Sequence, residues 1–346
     1  MTVPAAVIVL AAGQGTRMKS DLPKVVHPVA GLSMLGHALR AAQALHPDHL
    51  VAVVRHQRDI VAAEVMRVAP ETLIADQDEI PGTGRAVLCA LNAMVEAHGP
   101  LEGTVVVTSG DVPMLSPRTL ASLVALHEDE GHAVTVLTSI AEDPTGYGRI
   151  VRDEAGIVTA IVEQKDATEA QRLITEVNAG VYAFDGAFLA KTLLHVGQDN
   201  AQGEVYLTDV LAAAAPASRT AGALVLDDPW EAQGCNDRAQ LALLAAEFNQ
   251  RICQAHMRQG VTIVDPASTW IGVDVQIGHD TVIWPGSVLR GDTIIGSHCE
   301  IGPGTTLDCA NVADRARVVG SWVSKADVAA DTMVVPFSVI GQPDRG

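Results

Sequence analysis

Apolar residues fall into three regimes along the chain. In the first, short continuous runs of Val, Ile, Leu and Ala alternate with stretches whose apolar positions repeat every three or four residues. Residues 5–11, 50–54, 72–75, 104–109 and 133–140 read as strands, the first and fourth buried on both faces, and residues 33–45, 59–68, 84–97 and 117–128 read as the helices between them. This order predicts a mostly parallel sheet with helices on both faces. After Pro144 the pattern changes: 149–152, 157–162 and 180–184 read as mixed or antiparallel strands that would wall a pocket, and 204–215 as a helix. A second regime, 230–260, repeats Leu241, Leu244, Ala245, Phe248 and Ile252 at helical spacing, with Gly260 as the stop, and predicts one long helix or a helix pair.

From Val261 the period becomes six. Ile271, Ile277, Ile283, Leu289, Ile295, Ile301 and Leu307 keep strict register, glycine follows several of them, and the frame slips before resuming at Val328, Val334 and Ile340. Such a repeat predicts a hexapeptide β-helix of roughly four coils, with the apolar residue pointing inward onto its equivalent one coil away. The expected organisation is therefore a domain over 1–229, a linker helix over 230–260 and a short left-handed parallel β-helix over 261–346, the last a candidate for homotrimer formation.

Composition narrows the function classes. Aromatics make up 3% of the 346 residues, so Ala, Val, Leu and Ile must fill the core, and the formal net charge of −18 argues against a nucleic-acid or anionic-membrane partner. The five cysteines form no C-x-x-C pair and read as reduced thiols of a cytoplasmic protein. The amino terminus has no basic segment ahead of an apolar stretch broken by glycine, so no signal peptide is expected.

The sharpest motif is Leu10-Ala-Ala-Gly-Gln-Gly-Thr-Arg-Met18, followed by Leu22-Pro-Lys24. A buried strand delivers the backbone to a loop holding Gly13 and Gly15, where glycine lets backbone N–H groups approach an anion, and Arg17 and Lys24 add two cations. No G-K-[ST] follows, so the loop is not a Walker A sequence, and Met18 stands where a dinucleotide fingerprint would place its third glycine. Asp111 lies just past an apolar strand, a position suited to a metal at the carboxyl edge of a parallel sheet. Taken alone, Asp111 could equally cap a helix before Pro113, Asn178 could sit in a turn and Asn236 could cap the linker helix.

These motifs resemble those of the sugar-1-phosphate nucleotidyltransferases, which implies a Rossmann-like, GT-A-like α/β fold. Six further motifs match in order: Pro81–Gly84, Gly110–Pro113, Asp143–Arg149, Val162–Ala167, Asn200–Glu204 with Tyr206–Asp209, and Gly234–Arg238. Across essentially the whole chain the resemblance is to the bacterial bifunctional N-acetylglucosamine-1-phosphate uridylyltransferase/glucosamine-1-phosphate acetyltransferase family. It implies transfer of UMP from UTP to N-acetylglucosamine 1-phosphate, with Mg²⁺ held by Asp111 and Asn236. It also implies that Arg17 and Lys24 act on the phosphates, and that Leu10, Ala12, Gly13, Gln77, Gly82 and Thr83 hold the nucleotide. Gly146, Glu163, Asn178, Tyr206 and Thr208 are then expected around the sugar. Where the family often has Tyr two residues before the metal-binding Asp, this chain has Ser109. The His-containing acetyl-transfer motifs are missing from these 346 residues, so acetyl transfer is not expected of them. Two other readings stay open: a nucleotidyltransferase for another sugar 1-phosphate, and a regulatory protein that binds sugar nucleotides without turnover.

Overall fold

The computed structural model describes residues 3–341. The chain divides into two compact units, one of Met1–His27 with Met34–Asn236, the other of Pro28–Ser33 with Asp237–Gly346. The expected third segment, 261–346, ends in residues 342–346, which lie outside the described residues.

The first unit is built on β1 (Ala6–Leu10). Along the chain it is followed by the hairpin β2 (Pro28–Val29) and β3 (Leu32–Ser33), which belongs to the second unit, then by α1 (Met34–Gln43), β4 (His49–Val54), α2 (Arg58–Val68), β5 (Leu73–Asp76) and α3 (Thr83–His98). Next come β6 (Thr104–Ser109), α4 (Pro117–Asp129), β7 (Val134–Ile140), β8 (Arg149–Arg152), β9 (Val158–Val162) and α5 (Glu169–Arg172). The unit closes with β10 (Glu176–Asp185), α6 (Gly186–Leu193), α7 (Asp209–Ala212) and β11 (Ala221–Val225). The main sheet runs β11-β7-β10-β6-β1-β4-β5, with β8 and β9 branching from β10. Strands β6, β1, β4 and β5 are mutually parallel, β10 runs antiparallel to both β6 and β7, and β11 is parallel to β7. The sheet is thus mixed, with the antiparallel element where the apolar pattern broke.

Strand alternation explains the layers. Ala6 and Ile8 face a core completed by α3, α6 and α7, whereas Val7 and Val9 face one completed by α1, α2 and α4. All four are fully buried, and each Val or Ile so buried contributes about 1.5–3 kcal/mol. The sheet grows from β1 through β4 to β5 on one side, then returns through β6 to the other. The topology therefore reverses beside β1, and the loops after β1 and β6 part there to leave a crevice.

Two helix expectations need correction. Residues 204–215 are not a helix: only Asp209–Ala212 is α-helical, with a 3-10 turn at Ala215–Ala217. Residues 203–206 before it form no helix, because Val205 exchanges backbone hydrogen bonds with Pro81 and Gly84 and the Leu207 N–H donates to the Thr83 hydroxyl. Residues 230–260, expected as one long helix or a helix pair, hold their helical spacing in a single α-helix that starts later. A 3-10 turn at Pro229–Ala232 is separated from α8 (Arg238–Arg258), whose first turn is capped by Asp237, accepting from Gln240 N–H at 2.9 Å, and not by Asn236. Asp111 is not a cap either, since Ser116 caps α4.

The second unit is a left-handed β-helix preceded by α8. Its strands stack in parallel into three ladders, two of five rungs and one of four. The inward residues continue without interruption: after Leu307 come Val312, Val318, Val323, Val328 and Val334, all buried, then Ile340. The expected frame slip is a shortening of individual sides by one residue, with no side lost. Buried Asn249 of α8 donates to Thr269 O at 2.7 Å and accepts from Ile271 N at 3.0 Å, fixing the helix to the first coil. The β2–β3 hairpin joins the same unit through Val273 N–H to Ala30 O at 2.8 Å, an addition that its six residues gave no periodic signal to predict. Among the described residues no helix is long and apolar enough to cross a membrane.

Candidate active site

The crevice beside β1 collects the charged groups. Gly110 N–H donates to Leu10 O at 2.9 Å, so β6 ends level with β1 and Asp111 emerges at the carboxyl edge. Lys24 Nζ lies 2.5 Å from Asp111 Oδ2 and 3.1 Å from Asn236 Oδ1, and Arg17 donates to the same Asn236 oxygen at 2.8 Å. The Ser109 hydroxyl donates to the other Asp111 oxygen at 2.6 Å. Gly15 sets the Lys24 stem: its φ is +62°, and a Cβ there would sit 2.5 Å from Lys24 Cβ. Arg17, Lys24, Asp111 and Asn236, 219 residues apart at the extremes, therefore form one connected cluster.

That cluster has the donor chemistry of a hard-cation site. One carboxylate and one amide oxygen already hold an ammonium between them, and Mg²⁺ takes such oxygens while drawing its remaining ligands from water and phosphate.

A cleft of about 300 Å³ opens alongside, lined by Leu10, Ala12, Gly13, Gln77, Gly82 and Thr83, with Ser109 joining it to Asp111. The Gln77 amide donates to Ile80 O at 3.1 Å and Gly82 O at 3.2 Å, closing its loop. Arg85 pairs with Asp78, which holds that carboxyl below its usual range and the guanidinium above. Gly82 adopts φ +120°, and a Cβ on it would stand 2.2 Å from Val205 O. Only glycine lets this loop lie against the 204–208 segment.

The remaining expected residues assemble around Gly148, where a Cβ would lie 3.3 Å from Glu163 Oε1 and 3.5 Å from Asn178 Cβ. Asn178 is in β10 and donates to Tyr182 OH at 2.6 Å, while its own oxygen accepts from Gly180 N–H at 2.8 Å. It is a strand residue that also closes a turn. Buried Arg149 donates to Gln164 Oε1 at 2.6 Å and to Tyr147 O, and Gly146 N–H donates to the same Gln164 oxygen at 3.3 Å, so Gly146 is held by Gln164, which Arg149 positions. Tyr206 OH accepts from Gln202 at 2.9 Å, and Lys165 binds the other end of Gln202 at 2.8 Å. Burial first, and then the Asp166, Asp209 and Glu204 carboxylates, push Glu163 above the usual carboxylate range. The nearby, buried Thr208 hydroxyl opposes this rise. The crevice is thus acidic at one end and carries Lys24 and Arg17 at the other.

Residues 7–181 match the MobA-like NTP transferase domain, and 274–309 match six repeats of the bacterial transferase hexapeptide. The bifunctional protein GlmU of Paenarthrobacter aurescens is 53% identical over 97% of this chain and 68% of its own length. Its counterparts from Kineococcus radiotolerans and Corynebacterium glutamicum are 53% and 50% identical, over 98% and 97% of this chain and 68% and 69% of theirs. The chain belongs to the GlmU family. It is an enzyme, a nucleotidyltransferase acting on a sugar 1-phosphate, as the resemblance implied, and the fold class agrees.

Several members of this GlmU site carried no assignment in the sequence. Arg149 and Gln164 were visible only as letters in two motifs; that one clamps the other needs the β8–β9 pairing. Arg55, His56 and Glu204 line the same cleft as Gln77 and Gly82, and Ser109 hydrogen-bonds Asp111. For Ser109 a signal existed, since a hydroxyl two residues before a carboxylate at a strand end can reach it.

Proposed function

We propose that this chain transfers UMP from UTP to N-acetylglucosamine 1-phosphate, releasing pyrophosphate. The observation that supports this reading most is the meeting of Lys24, Arg17, Asp111 and Asn236 at the point where the sheet order reverses.

The sugar phosphate is already ionised and needs no protein nucleophile. Its oxygen attacks the α-phosphorus of UTP, the α–β bridging bond breaks, and pyrophosphate departs in line. Two anions must be brought together, so the protein contributes position and charge. Mg²⁺ held by Asp111 and Asn236 supplies neutralisation of the phosphate oxygens. Lys24, carried on a stem fixed by Gly15, stabilises charge at the α-phosphate, and Arg17 holds the departing pyrophosphate. Gln77 and the backbone of Ala12 and Gly82 read the uracil edge, with Leu10, Gly13 and Thr83 supporting the nucleotide. Glu163, Asn178 and Gly146 accept or donate to the sugar and its acetamido group, and Tyr206 and Thr208 close the pocket. The division of charge orients the acceptor: its phosphate turns to the cations and its hydroxyls to the carboxylates.

The β-helix carries exposed Trp270, Trp322 and Val339 on one ladder, an apolar face suited to packing in a homotrimer. Consumption of UTP places the reaction in the cytoplasm. These residues are assigned uridylyl transfer alone, because the acetyl-transfer motifs are not among them.

Pyrophosphate release from UTP and Mg²⁺, with N-acetylglucosamine 1-phosphate beside glucose 1-phosphate, tests the reading. Rapid release with the acetamido sugar supports it. Release with glucose 1-phosphate alone moves the substrate, and release with neither, in protein that binds UTP, removes the enzymatic assignment for these substrates.

A further inference from the structure

The β-helix turns its chain at corners, and one corner is marked by four non-glycine residues in the left-handed region, each one coil from the next: Asp280, His298, Arg315 and Asp331, with φ of 58°, 60°, 59° and 59°. Backbone hydrogen bonds lock the rungs together, His298 N–H donating to His279 O at 3.1 Å and Asp280 N–H to Gly260 O at 2.8 Å, directly after α8. The scaffold therefore superposes His298 on the His279–Asp280 pair of the coil below. His279 Nδ1 is 2.8 Å from Asp280 Oδ2, His298 Nδ1 is 3.9 Å from the same oxygen, and the two imidazole rings meet edge to face at 5.3 Å. One ligand atom from each of the three lies within 4.8 Å of the others, and no other such group of His, Cys, Asp and Glu occurs among the described residues.

We propose that His279, Asp280 and His298 bind a divalent transition metal, Zn²⁺ by chemistry, as a staple between two successive coils of the β-helix. Tetrahedral Zn²⁺ with Zn–N and Zn–O near 2.0–2.1 Å holds its ligand atoms about 3.3 Å apart, inside the spread already present, so side-chain rotation alone completes the site. Two imidazoles with one carboxylate select Zn²⁺, Co²⁺ or Ni²⁺ over Mg²⁺ or Ca²⁺. All three side chains are more than half exposed, which leaves the fourth position to water. The cation of the same corner does not compete: Arg315 is committed to Asp331 through two hydrogen bonds of 2.7 and 2.8 Å, away from the cluster. The site shares no residue with the nucleotide crevice.

Calorimetric titration of the full chain with Zn²⁺, and the visible absorption of tetrahedral Co²⁺, test the assignment. Asp280→Asn and His298→Asn suit the comparison, because Asn tolerates positive φ and leaves the corner intact. The expected result is one Zn²⁺ per chain bound at micromolar concentration, at least tenfold weaker in either variant. Zn²⁺ should raise the melting temperature of the wild type only, and pyrophosphate release with Mg²⁺ should be equal in all three proteins. Identical Zn²⁺ titrations of wild type and variants, or no Co²⁺ absorption at millimolar metal, would overturn it.

Discussion

Lys24 Nζ lies 2.5 Å from Asp111 Oδ2, and the other Asp111 oxygen is taken by Ser109 at 2.6 Å. The carboxylate is thus held from both sides, once by a cation and once by a neutral donor. Lys24→Ala or Asp111→Asn is expected to lower kcat by about a hundredfold, the loss seen when one preorganised charge partner of a transition state is removed. Ser109→Ala should act differently, raising the Mg²⁺ concentration for half-maximal rate several-fold while kcat at saturating Mg²⁺ falls less than tenfold. A Mg²⁺ titration of pyrophosphate release separates the two. Equal Mg²⁺ dependence in Ser109→Ala and wild type would leave Ser109 without a positioning role.

Gly82→Ala should be among the most damaging changes to the nucleotide cleft. The new methyl would need φ +120° and would collide with the backbone of Val205, which has no flexible end to yield. The expected outcome is a rise in KM for UTP of at least tenfold and a melting temperature lower by several degrees, consistent with strain of about 1–3 kcal/mol. Unchanged KM would mean that the loop is not seated on Val205 in solution.

Glu163→Gln is expected to weaken sugar-phosphate binding, with KM for the acceptor up at least tenfold, and at the same time to stabilise the fold near neutral pH. Burial and three neighbouring carboxylates raise the native pKa of Glu163. The native state therefore holds a proton more tightly than the unfolded chain, and wild-type stability declines as pH rises from the ordinary carboxylate range through the raised value. Urea unfolding of both proteins at pH 8 and pH 5 checks the sign: the advantage of Gln should be larger at pH 8. An advantage that grows toward pH 5 would refute the burial argument.

His127 predicts the opposite slope. It is buried against Thr135, whose hydroxyl it shares with His132 at 3.1 and 3.0 Å, and desolvation with the His132 charge lowers its pKa to about 4. Asp185, Glu128 and Arg219 also act on the ring. The unfolded chain takes up this proton near pH 6.5 and the native state does not, so stability is lost as pH falls from 6.5 toward 4. The loss is on the order of 2–3 kcal/mol. His127→Gln should flatten that part of the stability–pH curve, and parallel curves for the two proteins would rule His127 out as its source.

Much of this architecture was readable from the chain because each level of pattern agreed with the next. Continuous apolar runs such as 104–109 gave β6, and the six-residue period gave the inward stack of the β-helix. Errors came where tertiary contacts override local preference. Residues 204–208 run directly into the helical turn at 209–212, yet Val205 spends its backbone on Pro81 and Gly84. Val312 and Val323 fell out of the six-residue frame because sides shortened by one residue keep the apolar residue inside while shifting its number. For the site, the motifs named the residues, but nothing in their order along the chain could say that Asn236 would reach Arg17 and Lys24, or that Arg149 would seat the Gly146 loop.

The exchange of backbone bonds between Val205 and the 81–84 loop has a consequence for how this crevice can diverge. One stretch of main chain is common property of the 81–84 loop and the 204–208 segment, so neither can drift independently. On the proposed reading, a descendant that enlarged its acceptor pocket by moving 204–208 would displace the loop assigned to the base in the same step. Acceptor preference would then change through side chains such as Glu163 and Asn178, whereas base preference and the path of the backbone would be inherited together.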